Sequence, residues 1–93
     1  MSSNFCSKRI DWNKYAAIYA GAHKNVGPSG VCILVVREDL LGKERPDTPY
    51  VANWKGIAEA PTQFLNTPCN WAVYVCGLNL SYMRKIGIDK IQE

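Results

Sequence analysis

The sequence lacks the features that mark several large classes of protein. No apolar run approaches the roughly 20 residues that a membrane-spanning helix needs, and the first fifteen residues are polar and mixed in charge, unlike a signal peptide. The 11 basic residues never occur in runs longer than two, and the net charge is only +3. We therefore expect neither nucleic acid nor a membrane as a partner.

Metal-binding and disulfide motifs are missing as well. The four cysteines, Cys6, Cys32, Cys69 and Cys76, form no C-x-x-C pair, and His23 is the single histidine. These residues do not complete a zinc site at any common spacing, so we expect no metal. Cys32 and Cys76 lie in apolar runs, where a free thiol behaves as a small hydrophobe. We expect reduced core thiols in a cytoplasmic protein.

What is present is typical of one small globular domain, with 47% hydrophobic and 20% charged residues among 93. Tyr15 to Gly21 is a short apolar run that predicts a strand. Val31 to Val36 is an unbroken apolar run, which is typical of a strand covered on both faces. The following REDLLG predicts one helical turn that ends at Gly42.

The second half of the sequence predicts an irregular connection and then a long helix. Pro46, Pro49 and Pro61 punctuate residues 43–63, and such long connections usually carry function or contact a partner. Thr67 is then a suitable N-cap with Pro68 at the first helical position, and Gly87 follows the last turn. Asp89 could cap a second, short helix.

The helix and the second strand both require more neighbours than this sequence provides. Residues 71–83 are apolar nearly all round the predicted helix, so it should be buried on most sides. A strand covered on both faces also requires neighbouring elements on each side of the sheet. We therefore expect the chain to be an interior piece of a larger α/β protein.

Lys24 lies in a turn rich in small residues between the two predicted strands, and three interpretations compete. It can be an ordinary solvated turn lysine. A phosphate-binding loop would need a glycine directly before the lysine and Ser or Thr after it, and that order is absent. The third interpretation is a lysine that forms a Schiff base, because the small neighbours Gly21 and Ala22 leave room for a planar cofactor.

The motifs around Lys24 resemble a known family. The segment YAGAHKNVGPSG, followed by VREDLLG, resembles the cofactor-lysine segment of the phosphoserine aminotransferases, pyridoxal-phosphate enzymes of serine biosynthesis. An MSSNF-like opening and a downstream NTP tripeptide occur in the same order and at similar separations in that family. The resemblance covers essentially the whole chain. It implies an α/β fold in which residues 1–93 form part of the large domain of a fold-type I, class-V aminotransferase.

The resemblance also implies roles for four residues. Lys24 would form the Schiff base with pyridoxal 5'-phosphate and then move the proton between the substrate and the cofactor. His23 would contact the cofactor from a position that usually holds glutamine. Asn66 and Thr67 match residues that reach the cofactor phosphate of the partner subunit, and a helix N-terminus suits a phosphate. The complete enzyme would be a homodimer that transfers an amino group from glutamate to 3-phosphohydroxypyruvate, giving phosphoserine and 2-oxoglutarate.

Departures from the family pattern keep two alternatives open. Cys69 stands where the family commonly has a second proline. The aspartate that pairs with the cofactor nitrogen would directly precede Met1, so we expect the 93 residues alone to be inactive. Cysteine desulfurases often have HK followed by GP-x-G, which leaves another class-V enzyme as one alternative. A non-catalytic truncated chain that pairs with a full-length subunit is the other.

Overall fold

The computed structural model describes residues 1–92, which form a two-stranded sheet followed by three helices. The strands are β1 (Ala17–Gly21) and β2 (Cys32–Val36), and they pair in antiparallel register with Ala17 opposite Val36 and Gly21 opposite Cys32. Both predicted strands are confirmed, and β1 begins two residues later than predicted. The connection between them, residues 22–31, contains Lys24.

The helices are α1 (Trp54–Glu59), α2 (Asn70–Ile86) and α3 (Ile88–Gln92). α2 ends at Gly87 as predicted, with φ of +88° at that glycine and its N–H bonded to the Met83 carbonyl at 2.9 Å. Asp89 lies in the first turn of α3. Single 3₁₀ turns occupy Trp12–Lys14, Glu38–Leu40 and Tyr50–Ala52, so the predicted helical turn after β2 is present in a tighter form.

The start of α2 corrects the prediction from the sequence. Cys69, not Thr67, is the N-cap, and it keeps an extended backbone with φ of −71° and ψ of 95°. The first helical bond accordingly runs from the Val73 N–H to the Cys69 carbonyl at 3.0 Å. The cause is tertiary, because Cys69 packs against the turn before β2, within 3.5 Å of where a Cβ on Gly30 would lie.

The prediction of an irregular stretch over residues 43–63 is wrong in part, because this stretch contains α1. Asn53 is its N-cap, and the Asn53 Oδ1 accepts a hydrogen bond from the Gly56 N–H at 2.8 Å. The three prolines flank α1 without entering it.

The core lies between one face of the hairpin, the N-terminal segment and α2. Its buried residues share one cluster: Phe5, Ile18, Ala20, Ala22, Val26 and Cys76. The opposite face of the sheet is exposed, and Tyr19 there is 71% exposed. The predicted covering of β2 on both faces is therefore not met within this chain, and Cys32, predicted to be a core thiol, is exposed.

α2 is likewise left uncovered on most sides, which agrees with the prediction that it requires more neighbours than this chain provides. Ala72 and Cys76 are its buried residues. The apolar side chains on the outer face remain in solvent, with Trp71 70% exposed. We call this outer face the α2 stripe: Trp71, Tyr74, Leu78 and Tyr82. It follows the i, i+3, i+7, i+11 spacing of one helix face.

Candidate cofactor site

Lys24 is an exposed residue in a loop that is anchored on both sides. Before it, the Ala22 N–H donates to the Val31 carbonyl at 2.8 Å, and Ala22 is buried. After it, Val26 is only 1% exposed and belongs to the core. The lysine side chain therefore extends toward solvent from a backbone whose neighbours are buried.

The loop packs closely on α2. A Cβ atom on Gly27 would lie 3.1 Å from the Cys76 Cα, which is tighter than side-chain carbons normally approach backbone. A Cβ on Gly30 would lie 3.3 Å from the Ala72 Cβ, and Gly30 has φ of +114°. Glycine is favoured at both positions, because a side chain at position 27 would require α2 to shift slightly and Gly30 has a left-handed backbone.

Two asparagines link this loop to its surroundings. The Asn25 Nδ2 donates to the Phe5 carbonyl at 2.7 Å, which joins the loop to the N-terminal segment. The Asn79 Nδ2 donates to the Asn25 carbonyl at 2.7 Å, which joins the loop to α2. Neither residue was predicted to belong to the site. The available signal was Asn79 itself, a polar residue in a helix segment that is otherwise almost entirely apolar.

His23 lies beside a depression at the end of the hairpin. Its ring packs over Gly21, where a Cβ would lie 3.1 Å from the His23 Nδ1. The depression has a volume of about 370 Å³, within the range of small-molecule sites. Most of its wall consists of small residues: Gly21, Ala22, His23, Ser29, Gly30, Val31 and Cys32. Its small-residue walls leave room for a planar group, and Lys24, next to His23 in the chain, is not among the residues that line it.

Asn66 and Thr67 lie in a different environment. Both are exposed, in the segment between α1 and α2. Thr67 does not cap α2, since Cys69 does. The structure thus joins His23 and Lys24 in one loop and leaves Asn66 and Thr67 in a second, exposed segment. The end of that segment contacts the loop through Cys69 and Gly30.

The ionisable groups around the loop are thiols and surface ion pairs. Burial raises the pKa of the Cys76 thiol, and burial together with the nearby Cys76 raises that of Cys6. All four cysteines are free. Arg9 binds Asp89 through two hydrogen bonds of 2.7 Å, and these lower the pKa of the Asp89 carboxyl. This pair ties the N-terminal segment to α3.

Two further findings concern residues 1–92. No three histidine, cysteine, aspartate or glutamate side chains within this range are grouped as a metal site requires. Among the helices described, none has the length and apolar character needed to cross a membrane.

Comparison with known proteins gives a consistent result. The family model for aminotransferase class-V matches residues 1–93. Phosphoserine aminotransferase from Herminiimonas arsenicoxydans is 46% identical over 87 residues, which are 94% of this chain and 24% of that protein. The chain thus spans about a quarter of the length of the curated relatives it matches.

Solved structures show the same fold. Phosphoserine aminotransferase from Bacillus circulans subsp. alkalophilus superposes with a TM-score of 0.87 at 32% identity, covering 99% of this chain and 26% of that one. Pyridoxal-phosphate-bound phosphoserine aminotransferase from Trichomonas vaginalis gives a TM-score of 0.84 at 28% identity, with 99% and 26% covered. The predicted α/β, fold-type I class is confirmed by these neighbours. The chain belongs to the class-V aminotransferase family.

Proposed function

We propose that this chain is the cofactor-lysine part of a phosphoserine aminotransferase, with residues 1–93 forming part of its large domain. The observation that carries the proposal is the geometry of Lys24. Its side chain is exposed, yet its backbone lies between the buried residues Ala22 and Val26 and next to a depression with small-residue walls. The similarity to phosphoserine aminotransferases over 94% of the chain supports the same assignment.

In this proposal Lys24 holds pyridoxal 5'-phosphate covalently and later moves a proton at its Nζ. The bound cofactor supplies the electron sink for breaking a bond at the amino-acid Cα. His23 borders the ring and can donate a hydrogen bond to it. The anchored backbone on either side of Lys24 limits where the Nζ can reach, which would help to keep it near a bound cofactor.

We further propose that Asn66 and Thr67 contact a cofactor phosphate from the exposed segment before α2, and that the complete enzyme is a homodimer. Their exposure supports this role, because neither side chain is occupied by packing within residues 1–92. Free N–H groups at the start of α2, from Asn70 on, would add to the attraction for a phosphate. The proposed substrates are 3-phosphohydroxypyruvate and glutamate, in the cytoplasmic route to serine.

The first test is chemical labelling. The chain is incubated with limiting pyridoxal phosphate and reduced with borohydride, and the labelled lysines are mapped by peptide mass. We expect the label to concentrate on Lys24 among the seven lysines. Lys24→Arg should remove that peak, while the exposed Lys43→Arg serves as the matched control and should leave it. An even spread over all lysines in the unmodified chain would contradict the assignment of Lys24.

The reaction itself is tested in a longer protein. We expect no turnover from the chain alone, and turnover when it replaces the matching quarter of the Herminiimonas arsenicoxydans enzyme. Phosphohydroxypyruvate with glutamate should be converted, and cysteine should not. Release of sulfur from cysteine would instead identify a desulfurase.

A second candidate, a non-catalytic chain that pairs with a full-length subunit, is favoured by the exposed outer face of the sheet and by the α2 stripe. These faces bury little within residues 1–92. Such a chain should gain solubility on co-expression with a full-length relative and should remain unlabelled at Lys24.

A further inference from the structure

We infer that Asn79 and Asn25 act as positioning residues for Lys24, holding the backbone of the loop that carries this lysine next to the depression beside His23. The inference rests on the proposed function of Lys24. It concerns residues that lie outside the motifs through which the chain resembles its family, apart from the place of Asn25 in the loop.

The first step is the location of the hydrogen bonds. The Asn25 carbonyl, which accepts from the Asn79 Nδ2 at 2.7 Å, belongs to the residue directly after Lys24. The Asn25 side chain is itself held by the Phe5 carbonyl at 2.7 Å. One residue therefore receives a bond from α2 and donates one to the N-terminal segment. This double linkage restricts rotation of the backbone at Asn25, the residue that follows the lysine.

The second step is the cost of losing the bond. Both bonds are partly buried, so water does not fully replace a missing partner. Removing the Asn79 amide would leave the Asn25 carbonyl without its donor from the protein. The loop would then relax toward solvent, because Lys24 and His23 on its other side are already exposed.

The third step is why an asparagine stands at position 79. It is a polar residue on an apolar helix, and asparagine is a weaker helix former than alanine. Its side chain reaches a residue 54 positions earlier in the sequence. The placement weakens α2 slightly and gives a specific contact to the lysine loop, which is the pattern of a residue selected for positioning.

The test compares Asn79→Ala with Asn53→Ala in the full chain. Both substitutions remove one partly buried hydrogen bond between an asparagine side chain and the backbone. Asn53 belongs to α1 and has no bond to the lysine loop. Alanine is a better helix former than asparagine at position 79, so a loss of label at Lys24 would not result from a weaker α2.

Two readouts are measured. We expect the share of borohydride-fixed pyridoxal phosphate on Lys24 to fall about threefold to tenfold in Asn79→Ala, which corresponds to the loss of one hydrogen bond, and to stay unchanged in Asn53→Ala. Backbone ¹⁵N relaxation without cofactor should show the order parameters of the amides 24–26 falling from about 0.85 to below about 0.6 in Asn79→Ala. If Asn79→Ala does not fold, Asn25→Ala tests the other half of the linkage, because it removes the bond from the Asn25 side chain to the Phe5 carbonyl and keeps the backbone carbonyl that accepts from Asn79; amides 24–26 as rigid as in the unmodified chain would then overturn the inference.

The outcomes separate the two proposals. Looser amides together with label lost from Lys24 support the positioning role. A second outcome is that the unmodified chain labels all lysines evenly while the amides of Asn79→Ala become more mobile. That result supports positioning of the loop and contradicts the proposed function of Lys24. Unchanged amides in Asn79→Ala overturn the inference. Looser amides with the label still concentrated on Lys24 overturn it too.

Discussion

The two segments that carry the proposed site residues are held very differently by this chain. The loop of residues 22–31 is anchored by the buried Ala22 and Val26, by close packing of Gly27 on α2, and by the asparagine bonds. The segment of residues 61–67 is exposed throughout. The geometry of the loop is thus set by contacts within the described residues, whereas Asn66 and Thr67 are exposed; their contact with a cofactor phosphate across a subunit interface is part of the proposal above.

The largest effect should come from filling the contact between the loop and α2. Gly27→Val would place side-chain carbons against the Cys76 backbone, so α2 and the loop must move apart, and it should lower the free energy of unfolding by about 3 kcal/mol. Urea unfolding followed by circular dichroism measures this. Gly77→Ala is the matched control, since a Cβ there meets nothing within 4 Å and should stabilise α2 by about 0.5–1 kcal/mol. Equal effects of the two variants would show that the loop does not pack on α2.

Removing the buried anchor after Lys24 should have the next largest effect. Val26→Ala deletes two methyl groups from a side chain that is 1% exposed, and should cost about 2 kcal/mol of unfolding free energy. Val51, which is 65% exposed, provides the control, because Val51→Ala should change stability by less than about 0.5 kcal/mol. The same urea titration distinguishes them. A loss for Val51→Ala as large as that for Val26→Ala would contradict the described core.

The exposed segment should tolerate substitution in this chain. Thr67→Ala should change the free energy of unfolding by less than about 0.5 kcal/mol, because Thr67 is exposed and is not the N-cap of α2. In the longer chimeric enzyme the same change should weaken binding of pyridoxal phosphate, measured by the loss of cofactor on dialysis. A loss of about 1 kcal/mol or more in the isolated chain would return Thr67 to the role of helix cap.

The smallest effect should come from the surface ion pair between the N-terminal segment and α3. Arg9 lowers the pKa of Asp89 in the folded chain. The pair's contribution is therefore present above the unfolded pKa of about 3.9 and is lost as the pH falls through the lower folded value. Below about pH 4, the urea concentration at the midpoint of unfolding should fall more for the unmodified chain than for Asp89→Asn. Parallel pH curves for the two proteins would show that the pair adds nothing, as is common for exposed pairs.

Local patterns in the sequence were sufficient to predict most of the strands and helices. The apolar runs before and after Lys24 form strands, because short apolar runs rich in strand-forming residues act within a few residues. Gly87 ends α2 since a left-handed cap is a local backbone property. The lysine turn and its family motifs were also found from the sequence. The roles of His23, Lys24, Asn66 and Thr67 remain proposals.

The burial pattern could not be obtained in the same way. The sequence predicted that α2 and β2 require more neighbours than this chain provides, but not which faces stay exposed, because covering depends on neighbours in space rather than on a segment's own composition. The start of α2 moved from Thr67 to Cys69 for a similar reason, since the turn at Gly30 packs on Cys69. Helix α1 was missed because nearby prolines suggested irregular structure, although Asn53 provides a cap.

The sequence by itself determined where the chain forms strands and its long helix, and where a small-residue turn presents Lys24. These properties depend on residues that are close together along the chain. Only the tertiary structure decided that Asn79 reaches Asn25 across 54 positions, that Gly27 packs against Cys76, and that Lys24 is exposed between two buried neighbours. Such contacts depend on how α2 packs against the hairpin. This packing brings together residues that are far apart in the sequence, so no local pattern encodes it.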